Sequence, residues 1–130
     1  MTAQENAEKV RQVYEAFTKG DLETVAKLFD PDIRWHVTGR SQLAGTHSGQ
    51  DEVFAFFGKL AELTAGTFTV EIHDLLASED HVVVLARESS SRADRHLDDD
   101  EAHVWHLKNG LVTEFWGCPR DPYEVDAFWS

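Results

Sequence analysis

Residues 96–118, HLDDDEAHVWHLKNGLVTEFWGC, decide the fold. Apolar and polar residues alternate on both sides of Lys108-Asn109-Gly110. An Asn-Gly pair between such runs is a hairpin turn, since both residues accept positive φ. Strands joined that tightly pair antiparallel. The same period of two runs back through His81–Ser89 and Thr67–Leu76, with Ser-Glu-Asp and a polar Ser/Arg/Asp loop as breaks. Four strands, Thr67–Leu76, His81–Ser89, His96–Leu107 and Leu111–Cys118, therefore form a meander.

Upstream the period is helical. Val10, Val13, Tyr14 and Phe17 make one face of a helix over residues 5–19, and Gly20 suits its C-terminal cap. Asp21 caps a second, shorter helix with an inner face of Leu22, Val25, Leu28 and Phe29. Asp30-Pro31-Asp32 ends it, because proline breaks the helical ladder. Ile33–Val37 reads as a strand. A third helix opens at Gly49-Gln50-Asp51-Glu52, runs to about Ala65, and turns Val53, Phe54, Phe56, Phe57, Leu60 and Leu63 inward. Helices followed by a meander predict an α+β fold, one domain over residues 1–130, with a curved antiparallel sheet wrapped like a cone around three N-terminal helices. The tail Asp121–Ser130 ends in Phe128 and Trp129, aromatics that need a surface to cover.

The connection Ile33–Gly49, IRWHVTGRSQLAGTHSG, breaks a buried strand into glycines and polar groups and delivers His36, Arg40 and His47 beside Trp35. Apolar walls with a few titratable groups suit a small-molecule pocket, and the open end of a cone is the place for one.

Lys and Arg number 12 against 24 Asp and Glu, a formal charge of −12. Such a surface repels phosphate backbones and anionic headgroups, so neither nucleic acid nor membrane is an expected partner. Cys118 is the sole cysteine, which excludes an internal disulfide and fits a reducing compartment. With no signal-like N-terminus and no apolar run of about 20 residues, a cytoplasmic protein is expected.

Four segments carry a resemblance: VRQVYEAFTKGDLETVAKLFDPDIRWHV, the G-x-H-x-G element Gly45–Gly49, DEVFAFFGKL, and VWHLKNGLVTEFW. Together they resemble the nuclear transport factor 2-like (cystatin-like) superfamily, and within it the SnoaL-like polyketide cyclase and ketosteroid isomerase-like branch. The resemblance implies a cofactor-free apolar cavity with an acid/base pair, and a homodimer formed through the outer sheet face. Val104, Phe115 and Phe68 are the patch expected there. Carried over by position, the isomerase general base falls on His36, three residues before Gly39. The oxyanion-stabilising acid falls on His103, six before the Asn-Gly turn. The helix tyrosine falls near Val13, with Tyr14 one place off and turned by about 100°. The residue type differs from the isomerase at all three positions.

On the residues themselves, His36 is the candidate general base, an imidazole titrating near neutrality. Strand alternation sends Trp35 and Val37 to the face opposite His36, leaving it either cavity or solvent. His103 shares a face with Glu101, Trp105 and Leu107, so it is a buried acid or a satisfied core histidine. Glu114, read on one face with Val112, Trp116 and Cys118, is a buried acid or half of a structural ion pair. The expected catalytic set is His36, His103 and Glu114; Tyr14, Trp35, Arg40, His47, Phe57, Glu101, Trp105 and Trp116 are the expected ligand contacts. Arg40 is either a ligand anchor or a solvated loop arginine. His47 either touches ligand or stabilises the helix start. Asp121 and Tyr123 either close the cavity or cap the last turn. His103 and His106 fall on opposite faces and no metal-binding helix motif is present, so no metal is expected. The function expected is a cofactor-independent isomerase, cyclase, dehydratase or hydrolase acting on an apolar small molecule. The alternative is a non-catalytic ligand-binding or dimerisation module.

Overall fold

A computed structural model describes residues 1–130. The elements in order are α1 (Ala3–Thr18), α2 (Leu22–Leu28), β1 (Phe29–Val37), β2 (Gly45–Ser48), α3 (Gln50–Thr64), β3 (Thr69–Ala77), β4 (His81–Arg92), β5 (Arg95–Lys108), β6 (Leu111–Pro119) and α4 (Pro122–Trp129). A capping box starts α1: the Thr2 hydroxyl accepts from the Glu5 N–H, and the Glu5 carboxylate accepts from the Thr2 N–H. Gly20 follows its end at φ +72°. Asp21 caps α2 by accepting from the Thr24 N–H, and the chain passes straight from α2 into β1.

One six-stranded sheet has the order β2-β1-β6-β5-β4-β3. The meander pairs antiparallel as expected, and Asn109 and Gly110 take φ of +53° and +79° at the β5–β6 turn. Several features depart from the expectation: Phe29–Asp32, read as the end of the second helix, begin β1, and the polar loop between β4 and β5 shrinks to Ala93 and Asp94. β1 lies parallel to β6, a long-range pairing that no hairpin signal announces. Residues 45–48, read as loop, form β2 on the outer edge of β1. Residues 122–129, read as a tail, form α4, with Asp121 accepting from the Tyr123 and Glu124 N–H groups. Asp121 is thus a helix cap, and Tyr123 stands in solvent at 85% exposure.

The concave face of the sheet closes over α1, α2 and α3. Val10, Val13, Tyr14, Val25, Ile33, Trp35, Val53, Phe57, Val82, Val84, Trp105, Val112 and Phe115 form one buried cluster. A second cluster joins α4 to the rest through Leu43, Leu60, Leu97, Val125, Phe128 and Trp129. Arg92 and Arg95 donate from the sheet to the Ala127, Phe128 and Ser130 carbonyls, satisfying the end of α4. The apolar tail is therefore a plug across the open end of the cone.

Candidate active site

A cavity of about 110 Å³ lies between α1, α3 and the concave sheet, under α4. Its walls are mostly aromatic and aliphatic, including Phe17, Trp35, Phe56, Phe57, Phe68, Phe115 and Trp129. Trp35 and Phe115 face each other across the parallel β1–β6 pair, with ring centroids 3.7 Å apart. Its charged liners are Glu88, Glu101 and His103, and no Lys or Arg reaches it.

Strand alternation builds this polar end. On β5, Leu97, Asp99, Glu101, His103, Trp105 and Leu107 share the inner face; on β4, Val82, Val84, Ala86, Glu88 and Ser90 do. His103 is 5% exposed. Its Nε2 lies 2.7 Å from Glu88 Oε2 and 3.3 Å from Glu101 Oε1, and its Nδ1 lies 2.6 Å from the Tyr14 hydroxyl. That hydroxyl also accepts from the Trp105 indole N–H at 3.2 Å. Tyr14 on α1 is held edge-on against Trp105 and stacked beside His103.

The charges are set by this enclosure. Burial opposes a charge on His103, but the Tyr14 oxygen and the Glu101 and Glu88 carboxylates outweigh it, holding the imidazole pKa well above 6.5. Burial and the neighbouring Glu101 push the Glu88 carboxyl up. Glu101 is pulled the other way: burial works against its charge, yet hydrogen bonds from His103 and Asp99 leave it below its ordinary value. Asp99, 8% exposed, is pushed up to about 9 by burial and by its place beside Glu101. Asp99 Oδ2 has no partner as an ionised group. As the neutral acid it donates to Glu101, which satisfies both. At neutral pH the cluster therefore reads Asp99–H, Glu101⁻ and His103⁺.

An imidazolium donates from both nitrogens. Tyr14 then accepts two hydrogen bonds, from His103 and Trp105, and its own O–H proton is left for whatever occupies the cavity. Glu88, Glu101 and His103 also place one ligand atom each within 4.8 Å of one another, which would suffice to hold a cation; the hydrogen bonds among them account for the same geometry.

Of the residues singled out from sequence, Tyr14, Trp35, Phe57, Glu101, His103 and Trp105 line the cavity together. His36, Glu114 and Trp116 do not. They lie on the convex face, where His36 Nε2 meets Glu114 Oε2 at 2.5 Å, His36 Nδ1 meets Thr46 Oγ1 at 2.8 Å, and Trp116 stacks on His36. Trp35 took the inner face, so its neighbour could not. A bulge explains Glu114: Leu107 pairs with Val112 but His106 pairs with Glu114, leaving Thr113 over. That extra residue separates Glu114 from Val112, which is 1% exposed and inside. Arg40 donates its backbone N–H to Asp126, and its exposed side chain is clear of the cavity. His47 lies 3.3 Å from the Leu43 carbonyl and packs on Phe56. Phe115 and Phe68 face inward, so of the expected dimer patch only Val104 is on the outer face, beside Trp116. Glu88 and Asp99 were missed. Each continues an apolar strand face by steps of two, and that was the available signal.

The SnoaL-like domain family matches residues 10–115. An uncharacterized protein of Mycobacterium tuberculosis H37Rv, Rv0034, is 34% identical over the whole of both chains. The structure of Bal32a, from a soil-derived mobile gene cassette, is 39% identical, covers 98% of each chain and superposes with a TM-score of 0.95. An NTF2-like protein of unknown function from Burkholderia pseudomallei K96243 is 28% identical over 97% of this chain and 98% of its own, with a TM-score of 0.86. The helices, the wrapped sheet and the matched span agree: the chain belongs to the SnoaL-like domain family and has the NTF2-like fold.

Proposed function

We propose that the cavity is the active site of a proton-transfer enzyme acting on a neutral, largely apolar carbonyl compound. The observation that carries this reading is the buried Tyr14 hydroxyl, 2.6 Å from His103 Nδ1 and 3.2 Å from the Trp105 indole N–H; with His103 as the imidazolium it accepts from both and its own proton is left for a ligand. A carbonyl oxygen at Tyr14 gains a donor that strengthens as charge develops on it, inside a largely apolar site where such donors act more strongly than in water. Glu88, whose carboxyl is pushed up by burial and by Glu101 and which lines the same cavity, is the base. The C–H proton beside the carbonyl passes to Glu88, and the enolate oxygen rests on Tyr14. The proton then returns from Glu88 to another carbon, or the enolate carbon attacks a second carbonyl in an aldol-type closure and the new alkoxide takes the proton back from Glu88. His103 holds Tyr14 in place, and Glu101 holds His103 charged.

A ligand carboxylate or phosphate would find no cation free to pair with it, since His103 already faces two glutamates. That favours uncharged substrates. The test is exchange of α-hydrogens for deuterium in neutral cyclic ketones, followed by NMR in D₂O. Wild type should exceed buffer, and Tyr14→Phe and Glu88→Gln should each lose about 100-fold or more. Ketones that bind without faster exchange would assign the cavity to a non-catalytic ligand-binding module instead.

A further inference from the structure

The convex face holds a second cluster that the cavity chemistry does not use. His81 and His106 are directly opposed across β4 and β5. Their rings lie 4.1 Å apart at 51°, and the two Nε2 atoms meet closer than an ordinary hydrogen bond allows. Cross-strand register and ring separation therefore put both Nε2 atoms where a small rotation of either ring converges them on one shared cation.

The surroundings favour a cation. His81 is exposed and its backbone is fixed: its N–H donates to Ser78 Oγ at 3.0 Å, while the adjoining Asp80 carbonyl accepts from the Leu107 N–H at 3.0 Å. The far nitrogen of His106, Nδ1, faces Glu114 Oε1 at 3.7 Å, and the Trp116 ring packs edge-on against the same imidazole. At 3.7 Å the carboxylate is a charge neighbour rather than a hydrogen-bond partner, and a negative charge on that side favours a cation on the opposite nitrogen. Glu114 is itself anchored by His36 at 2.5 Å.

We propose that His81 and His106 form a two-imidazole site for a borderline transition cation, Zn²⁺, Cu²⁺ or Ni²⁺. Imidazole suits these ions, and their remaining positions would be filled by water from the exposed side. A slight rotation of either ring opens the nitrogens to the separation of about 3.3 Å that two ligands at about 2.0–2.1 Å require around a tetrahedral ion. Bound there, the ion would cross-link β4 to β5 in the folded state alone and raise the melting temperature.

The experiment is calorimetric titration of the full chain, without an affinity tag, with ZnCl₂ and with CuCl₂. One saturable equivalent per chain is expected, with a melting temperature that rises with metal. His81→Ala, at an exposed turn, and His106→Gln, which keeps the side chain's bulk, should each lose at least tenfold in affinity. Glu114→Gln should weaken binding by less than either histidine variant, through loss of the neighbouring negative charge. Glu101→Gln, which removes a ligand atom from the cavity cluster, should leave it intact. The proposal is overturned if no saturable binding occurs, if both histidine variants bind as tightly as wild type, or if Glu101→Gln abolishes binding.

Discussion

Asp99→Asn should make the protein more stable, and increasingly so as the pH rises. Asp99 is buried beside Glu101 and keeps its proton to a pH of about 9. In the unfolded chain the same group ionises near pH 4. Between those values the folded state binds one proton more than the unfolded state, so stability falls as pH rises. The slope for one such proton is about 1.4 kcal/mol per pH unit. From pH 5 to pH 8 that is about 4 kcal/mol as a ceiling, and about 2 kcal/mol after discounting for solvent at the rim of the cluster. Asparagine keeps the shape, cannot ionise, and can donate its amide N–H to Glu101 as the acid does. Because His103 titrates in both proteins, its contribution largely cancels in the difference. Urea denaturation at pH 5, 6, 7 and 8 gives that difference directly. A gap near zero at pH 5 that widens to about 2 kcal/mol in favour of the variant at pH 8 is expected. A gap that does not change with pH, or a wild type more stable at pH 8, would refute the protonated-acid reading.

Tyr14→Phe strips the acceptor from two buried donors, Trp105 Nε1–H and His103 Nδ1–H. It should cost about 2–4 kcal/mol in denaturant unfolding at pH 7, and a loss below about 0.5 kcal/mol would show that water replaces the hydroxyl. His103 should remain an imidazolium above pH 7 by NMR titration. Its folded pKa is raised, so its stabilising effect is complete below about 6.5 and fades as pH rises through the higher folded value. Glu101→Gln should move that titration downward; an unchanged midpoint would remove Glu101 as a cause. Gly39→Ala should destabilise by more than about 2 kcal/mol, because Gly39 sits at φ +113° and a Cβ there would lie 2.2 Å from the Asp126 carboxylate of α4. Thermal unfolding would measure it, and a near-neutral alanine would mean that α4 shifts freely.

Local signals carried much of the architecture. The Asp21 cap, the Asn109-Gly110 turn, and the change from period 3.6 to period 2 after residue 66 are properties of neighbouring residues, and each appears in the folded chain. The same alternation places His103, Glu101 and Trp105 on one face, which in the folded chain is the inner one. It misplaced Glu114 because one uncounted bulge at Thr113 inverts every side chain before it relative to those after it. It left His36 open because a strand has two faces, and which one is inside depends on what it packs against.

What the sequence determined by itself was therefore the list of elements and the grouping of side chains within each. Only the tertiary structure decided which groups meet. Tyr14 is 89 residues from His103, and Glu88 is 15 from it on the neighbouring strand. The parallel docking of β1 on β6 and the folding of α4 across the cone set the cavity's walls and its lid. Such contacts are chosen by burial of apolar surface over the whole chain, a non-directional force proportional to area. No window of neighbouring residues contains that sum.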